Sequence, residues 1–262
     1  MSELKLELYH DNFQNFKAYN IPKAQLVVAD VPYNLGNNAY ASNPEWYKDG
    51  NNQNGESSKA NKSFFNTDGR FKIPEYMHFC SRLLKKEPAQ PGKAPAMIVF
   101  CAFNQDQMLI DYGKKYGFMH SYPIFFIKHY SPQALKANMK IVGATEHAIV
   151  LYRNKLPKFN NGGRMVYDWF EWLRDNPKRY PKIHPTQKPV SLLKRLIEIF
   201  TDPGDVVIDP CAGSGTTLRA AFELDRNSYG FEVDKEFYKA AETQMLAPAR
   251  EEKKFEQLKF SV

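Results

Sequence analysis

The sequence predicts an α/β fold in which candidate ligand sites lie at the carboxyl ends of parallel strands. Val206 to Asp209 is an apolar run that ends in an acid, and a glycine-rich loop and a helical pattern follow it. A second strand pattern, Ser228 to Asp234, comes next. A third apolar run, Gln25 to Ala29, indicates a buried parallel strand and is also followed by an acid. Ligands of open α/β sheets bind beyond such strand ends, so these three strand ends are candidate ligand sites.

Length and composition limit the class of protein. The chain has 262 residues, enough to bury the core of one domain, and we expect a single domain over 1–262. Its formal charge of +7 and pI near 9.1 suit a polyanionic partner. The three cysteines show neither metal-ligand nor paired spacing, so we expect reduced thiols in an intracellular protein without a metal. No long apolar run or signal-peptide pattern occurs, which predicts a cytoplasmic protein with no membrane association.

The loop after Asp209 is typical of a site for an anionic or carboxylate-bearing ligand. Gly213 and Gly215 allow unusual backbone angles and close approach of a ligand, and the helix start offers unpaired N–H groups. An ordinary strand-to-helix turn would look the same, so the loop alone leaves both interpretations open. Glu232 lies about 20 residues further on, the spacing at which an acid meets a ribose in dinucleotide-binding folds. Without a phosphate-loop lysine or a third glycine, a nucleoside with an amino-acid tail fits better than a pyrophosphate.

Two motifs identify a family that the sequence resembles. The loop Asp209 to Thr217 (DPCAGSGTT), preceded by His184 to Pro189 (HPTQKP), resembles the S-adenosylmethionine site of the β-class DNA amino-methyltransferases. The resemblance covers nearly the whole chain. It implies a Rossmann-like sheet of seven strands, motifs in circularly permuted order, and S-adenosylmethionine as the cofactor. The cofactor-binding residues that it implies are Asp11, Asn12, Asp30, Thr186, Lys188, Asp209, Cys211, Ala212, Gly213, Ser214, Gly215, Thr216, Thr217 and Glu232.

Asp11 follows a predicted first strand, Leu4 to Tyr9, and matches the family's acid at the adenine end of the cofactor. A helix N-cap is an alternative role for it, and one side chain could serve both. Cys211 follows a proline but lies in the cofactor loop, so we interpret it as a cofactor contact or a packing residue and not as a nucleophile.

The predicted catalytic residues are Asp30, Val31, Pro32 and Tyr33. They match the family's base-pocket motif, except that valine replaces the first proline. The Asp30 carboxylate and the Val31 carbonyl can each accept one amino hydrogen, which favours a pyramidal nitrogen and supports its developing positive charge. Tyr33 offers an aromatic face to a base taken out of the stack. Val31 lacks the stiffness of proline, so we expect a less preorganised loop.

Two segments are candidates for DNA contact. Residues 37–71 show no clear periodicity, which predicts a mobile lid over the target base, with a merely disordered insertion as the alternative. Leu151 to Arg195 holds 11 Lys and Arg against 3 Asp and Glu, a formal charge of +8, and aromatic residues interrupt it. Within it, 153–183 occupies the position of the family's target-recognition region, and a solvated basic surface is the alternative.

These observations predict transfer of a methyl group to the exocyclic amino group of a flipped base in double-stranded DNA. Asp30 as the first motif residue favours adenine N6. The alternatives are cytosine N4 and a catalytically inactive DNA-binding paralogue. RNA and protein-glutamine methyltransferases rank low because they place the cofactor loop before the pocket motif. The resemblance is compatible with a homodimer and with a partner restriction nuclease.

Overall fold

A computed structural model describes residues 4–33, 71–129, 134–136, 141–184 and 186–259. The strands are β1 (Leu6–Tyr9), β2 (Leu26–Asp30), β3 (Ala96–Phe100), β4 (His120–Lys128), β5 (Ala134–Lys136), β6 (Ile141–Val142), β7 (Thr145–Tyr152), β8 (Trp169–Trp172), β9 (Val206–Asp209) and β10 (Asn227–Phe231). The α-helices are α1 (Ile73–Leu83), α2 (Asp106–Lys115), α3 (Val190–Phe200), α4 (Thr216–Glu223), α5 (Lys235–Ala240) and α6 (Ala247–Lys259). Short 3-10 helices cover Phe13–Ala18 and Phe103–Gln105, and a π-helical segment covers Ala241–Leu246.

The main sheet has the strand order β1-β10-β9-β2-β3-β7-β4-β8, and its first five strands are parallel. The strand patterns Ser121 to His129 and Thr145 to Tyr152 predict an antiparallel pair. The structure confirms this pair and the α/β fold class, because β7 runs antiparallel to both β3 and β4. The sheet has one strand more than the seven expected, because Trp169–Trp172 pairs in parallel with β4. Burial of Trp172 and packing of Phe170 against the core favour this added strand.

Four acids follow four neighbouring parallel strands at the same edge of the sheet. The register pairs Tyr9 with Phe231, and Gly230 with Asp209. The next strand continues the run, since Val27 pairs with Ile208. The carboxyl ends of β1, β10, β9 and β2 therefore lie side by side. The acids after or at these ends are Asp11, Glu232, Asp209 and Asp30.

The core lies on both faces of the sheet. Leu26 and Val28 of β2 pack with residues of α3, α4 and α6, whereas Val27 and Ala29 pack with residues of α1 and α2. All four are at most 1% exposed. Burial on both sides explains why the strand appears in the sequence as an unbroken apolar run.

The charged stretch Arg250 to Lys254 is predicted to fray, and that prediction is wrong because it lies inside α6. The buried Arg219 of α4 donates through Nη2 to Glu252 of α6, with N–O distances of 3.0 and 3.1 Å. Arg250 donates to the Leu6 carbonyl at 2.8 Å. These bonds hold α6 against the sheet.

Within the described ranges, no helix has both the length and the apolarity to cross a membrane. The lid predicted for 37–71 lies outside the described residues, apart from Phe71, whose ring centroid is 5.8 Å from that of Phe13. The single domain over 1–262 stays a prediction.

Candidate active site at the carboxyl edge of the sheet

Asp30, the last residue of β2, carries a partly buried carboxylate whose two oxygens have different environments. Its Oδ2 accepts a hydrogen bond from Lys188 Nζ at 2.7 Å. Its Oδ1 is buried and has no hydrogen-bond partner among the described residues. Burial raises the pKa of Asp30, and the Lys188 charge offsets part of that effect. An unsatisfied buried acceptor is costly, so Oδ1 is suited to accept a hydrogen from a ligand.

Lys188 lies at the centre of this pocket and is 7% exposed. Besides Asp30, its Nζ faces Glu146 Oε2 at 3.3 Å, and Glu146 is also paired with Lys128. Burial opposes a charge on Lys188, but the two carboxylates outweigh it and raise the pKa of the ammonium well above its ordinary value. The same pairing lowers the pKa of Glu146 although burial opposes it. Four charges, two of each sign, therefore compensate one another in this pocket, with Lys188 buried and the other three partly buried.

Aromatic rings complete the surroundings of the Lys188 ammonium. Its Nζ lies 5.1 Å from the ring centroid of Phe100, 5.6 Å from that of Trp172 and 5.8 Å from that of Tyr33. Cation–π attraction in such a desolvated place holds the ammonium in position. The structure thus places Lys188, predicted as a cofactor ligand, beside the base-pocket motif.

The loop after Asp30 is held by backbone contacts that explain the valine in the motif. Val31 is 1% exposed, and its N–H donates to the Phe100 carbonyl at 3.1 Å. Proline has no N–H and could not extend the β2–β3 pairing in this way. The Pro32 carbonyl accepts from Gln105 Nε2 at 2.8 Å, and Gln105 Oε1 accepts from Ala102 N at 3.0 Å. These bonds tie the loop to β3 and to the 3-10 helix Phe103–Gln105.

The sequence does not reveal Gln105 or Lys128 as site residues, and it gives no way to decide whether Glu146 has a role in the pocket. Each lies on a different element from Asp30, and none belongs to a recognisable motif. Only the pairing of β4 with β7, which sets Phe126 opposite Glu146, brings the acid to the pocket.

The glycine-rich loop joins two of the edge carboxylates. Asp209 Oδ1 accepts from Cys211 N at 2.9 Å, and Glu232 Oε2 accepts from Gly213 N at 2.8 Å. The second Glu232 oxygen accepts from Asp234 N at 2.7 Å. Burial raises the pKa of Glu232. A carboxylate offers about four acceptor sites, so Glu232 can still accept hydrogen bonds from ligand hydroxyls.

The remaining loop residues are buried or half-buried. Ala212, Ser214, Thr216 and Thr217 are each at most 5% exposed. Cys211 is half-buried, and burial raises the pKa of its thiol well above the ordinary value, which supports the interpretation that it is no nucleophile.

Burial raises the pKa of Asp209 from 3.8 to about 7. The folded state therefore holds a proton on Asp209 that the unfolded chain releases near pH 4, so stability falls as pH rises between these values. One pH unit in this window corresponds to about 1.4 kcal/mol. Between pH 5 and 8, we expect the unfolding free energy of the wild type to fall by roughly 2–3 kcal/mol more than that of Asp209→Asn. Denaturant titrations across this range test it, and parallel pH curves for the two proteins would contradict it.

Gly215 precedes α4 with a φ of +73°, and a Cβ added there would lie 3.2 Å from Leu246 Cδ2. The first obstacle to a side chain is thus the π-helical segment rather than the cofactor approach. Gly163, with a φ of +74° and open space around it, is a matched control. Both alanine variants should lose about 1–2 kcal/mol of unfolding free energy from backbone strain. Gly215→Ala should lose more unfolding free energy than Gly163→Ala, because its Cβ would also press against Leu246. Equal losses in chemical denaturation would show that this contact has no effect.

The acid at the end of β1 is held by its own neighbours. Asp11 accepts from Asn12 N and Asn15 Nδ2, both at 2.7 Å, and from Tyr19 Oη at 2.8 Å. Hydrogen bonding from Asn15 lowers the pKa of Asp11. The N-cap of the following 3-10 helix is Asn12, which accepts from Gln14 N at 3.0 Å. The alternative N-cap role for Asp11 is therefore wrong.

The HPTQKP stretch contacts both the glycine-rich loop and the pocket around Asp30. Thr186 hydrogen-bonds to His184 Nδ1 through its backbone N–H at 3.3 Å, and its hydroxyl lies 3.1 Å from the same atom. The His184 ring borders the glycine-rich loop, because a Cβ built on Gly213 would lie 3.6 Å from its Cδ2. Lys188, four residues on, reaches Asp30 instead.

The positive charge of Leu151 to Arg195 is largely used within the protein. At least seven of its eleven basic side chains make hydrogen bonds or ion pairs inside the chain: Arg153, Lys155, Lys158, Arg179, Lys188, Lys194 and Arg195. The formal charge of the segment thus overstates what it can offer to a phosphate backbone.

Exposed aromatic and basic groups do lie within 153–183. Tyr167 is 75% exposed, and its ring stacks on Trp169 at a centroid distance of 5.6 Å and an angle of 16°. Arg164, Lys178 and Lys182 are also exposed. This set combines stacking surfaces with cationic groups, as single-stranded or flipped bases require.

Comparison with known proteins agrees with this architecture. A family model described as DNA methylase matches residues 24–243. The DNA adenine methyltransferase YhdJ of Escherichia coli (strain K12) is 27% identical over 259 residues, covering 91% of this chain and 81% of that protein. The crystal structure of the M1.HpyAVI-SAM complex matches with a TM-score of 0.64 and 24% identity, covering 92% of this chain and 98% of that one. The cytosine-N4-specific PvuII DNA methyltransferase matches with a TM-score of 0.66 and 16% identity, covering 94% and 88%.

Proposed function

Because the chain belongs to the N6/N4 family of DNA methylases, we propose that it methylates the N6 amino group of adenine in double-stranded DNA. The edge acids and the glycine-rich loop support S-adenosylmethionine as the cofactor. Glu232 keeps free acceptor capacity for ribose hydroxyls, and the loop Gly213 to Thr217 borders it for the methionine part. Asp11, which follows the neighbouring strand β1, is placed to contact the adenine end of the cofactor. When bound, S-adenosylmethionine would supply a methyl group on a sulfonium centre and would leave as the neutral thioether, while the methylated amino nitrogen loses one proton to solvent.

The buried, unpaired Asp30 Oδ1 is the observation that carries this proposal. An exocyclic amino nitrogen is a poor nucleophile, because its lone pair is delocalised into the ring. Oδ1 accepts one amino hydrogen and stabilises the positive charge that grows on nitrogen. Lys188 holds the other oxygen and so fixes the direction of Oδ1. The Val31 carbonyl accepts the second hydrogen, and Tyr33 stacks on the base.

Adenine is favoured by Asp30 as the first motif residue and by the likeness to an adenine methyltransferase. The likeness in fold to a cytosine-N4 enzyme keeps that base as the second candidate. To decide between them, the purified chain is incubated with unmethylated DNA and labelled S-adenosylmethionine, and the nucleosides are analysed by mass spectrometry. N6-methyladenine is the expected product. N4-methylcytosine would show that the target base is cytosine and not adenine, and it would leave the proposed reaction class unchanged. No methylated nucleoside, together with no cofactor binding in calorimetry, would favour an inactive DNA-binding paralogue.

We also propose that the stacked pair of Tyr167 and Trp169 contacts DNA bases. Replacing Tyr167 by alanine should weaken DNA binding by about 1–3 kcal/mol, the usual contribution of one stacked base. Cofactor affinity should not change, since Tyr167 takes no part in the hydrogen bonds that join the glycine-rich loop to Asp209 and Glu232. Fluorescence anisotropy with labelled duplex measures the first and calorimetry the second. Phe255→Ala is the control, because Phe255 is also exposed (67%) but lies on α6. An equal loss in both variants would contradict the assignment.

The homodimer, the partner nuclease, the cytoplasmic location and the recognition role of 153–183 stay predictions.

A further inference from the structure

Beside the proposed active site, three side chains of different chemistry converge on one point. Cys101 Sγ lies 3.3 Å from Asp106 Oδ1 and 3.9 Å from His147 Nε2, and the two last atoms are 2.8 Å apart. The proposed methyl transfer uses none of these three side chains. Thiolate, imidazole and carboxylate are the ligand types that zinc binds.

The distances suit a tetrahedral ion. Zinc bonds of about 2.0–2.3 Å at tetrahedral angles place the ligand atoms about 3.3–3.6 Å apart. The observed separations of 2.8 to 3.9 Å surround these values, so shifts of about half an ångström complete the geometry. We propose that Cys101, Asp106 and His147 bind one Zn²⁺ and leave its fourth position to water.

The supporting elements are fixed before any ion arrives. Phe100 pairs with Ala148 in the β3–β7 ladder, so Cys101 and His147 stand at the next position of the two strands. Asp106 is the first residue of α2. Cys101 is buried, whereas the side chains of His147 and Asp106 are 16% and 27% exposed, which leaves a path from solvent.

A nucleophilic relay is the other chemistry that these residue types suggest, and the geometry opposes it. A relay needs the thiol on one imidazole nitrogen and the carboxylate on the other. Here both lie nearest to the same atom, His147 Nε2, as ligands of one ion do. On binding, the Cys101 thiol gives up its proton to solvent, the sulfur binds Zn²⁺ as thiolate, and His147 binds through a neutral nitrogen.

The test is titration of the reduced, metal-free full chain with Zn²⁺ by calorimetry and with Co²⁺ by absorption spectroscopy. We expect one ion per chain and a thiolate-to-cobalt charge-transfer band. Cys101→Ser should abolish the band, and Cys101→Ser and His147→Gln should each weaken Zn²⁺ binding by more than about 100-fold, the upper end of effects seen for second-shell residues. His129→Gln is the control, because His129 is exposed and lies on a neighbouring segment.

Binding of the same strength in the wild type, Cys101→Ser and His147→Gln would overturn the site, as would the absence of any one-to-one binding. Circular dichroism confirms that each variant is folded. If Cys101→Ser does not fold, His147→Gln and Asp106→Asn decide the question alone, since both side chains are partly exposed. Because the readout is ion binding and not methyl transfer, failure of the proposed function would leave this result unaffected.

Discussion

Asp30→Ala will lower the rate of methyl transfer on the order of 10²–10³-fold while the protein still binds S-adenosylmethionine. The carboxylate is placed to accept an amino hydrogen and to stabilise charge in the transition state, and loss of one such group has about this cost. Asp30→Asn keeps an oxygen acceptor without the charge, so its loss should be smaller. Single-turnover rates on duplex DNA and calorimetry with the cofactor measure the two quantities.

Asp111→Ala is the matched control, since Asp111 is an exposed aspartate on α2, away from the pocket. Asp30→Ala with the wild-type rate would rule out the proposed role of Asp30. A loss of cofactor binding equal to the loss of rate would instead place Asp30 at the cofactor. Thermal unfolding of each variant is needed beside these measurements, because Asp30 also compensates the buried Lys188 charge.

Lys188→Met will destabilise the protein by about 3–5 kcal/mol and will also lower methyl transfer. Methionine keeps most of the volume, but the change leaves Asp30 and Glu146 as partly buried carboxylates with too little positive charge, which is the costly case. The cost should shrink as pH falls, because protonation removes the uncompensated charge. Urea denaturation at several pH values measures it.

Two comparisons separate charge compensation from packing. Lys188→Met combined with Glu146→Gln should lose less stability than Lys188→Met alone, because one uncompensated carboxylate is gone. Lys85→Met should cost less than about 1 kcal/mol, since Lys85 makes a half-exposed ion pair with Asp205 at 2.7 Å. If the double variant is the less stable one, the ion cluster does not have the role described.

Motif spacing was enough to predict that the base-pocket motif and the glycine-rich loop lie at one edge of the sheet. The carboxyl ends of parallel strands meet at one edge of a sheet, so the acids after β2, β9 and β10 could be assigned to that edge from the chain alone. The loop glycines Gly213 and Gly215 were also recognisable, and both adopt positive φ. The side chain that a Cβ on Gly215 would meet was not recognisable, because Leu246 lies 31 positions further along the chain.

Charge counting was less informative than motif spacing. The +8 of Leu151 to Arg195 suggested a DNA-binding surface, yet at least four of its cations pair with acids elsewhere in the fold, such as Lys158 with Asp202 and Lys194 with Glu223. Three more donate to carbonyl or amide oxygens of the chain. The formal charge of a segment does not show which side chains face solvent. Trp169–Trp172 likewise joined the sheet because a partner strand was available beside it, which local propensity does not report.

Local patterns thus sufficed for the fold class, the strand that carries Asp30 and the glycine-rich loop, because periodicity and motif spacing act over short stretches of chain. The partners of Asp30 depended on tertiary structure, since Lys188 and Glu146 come from other elements. The same holds for the proposed zinc ligands, where Cys101 and His147 are 46 positions apart and meet only through the β3–β7 ladder. Side-chain clusters are created by packing, and packing joins residues whose separation along the chain carries no signal.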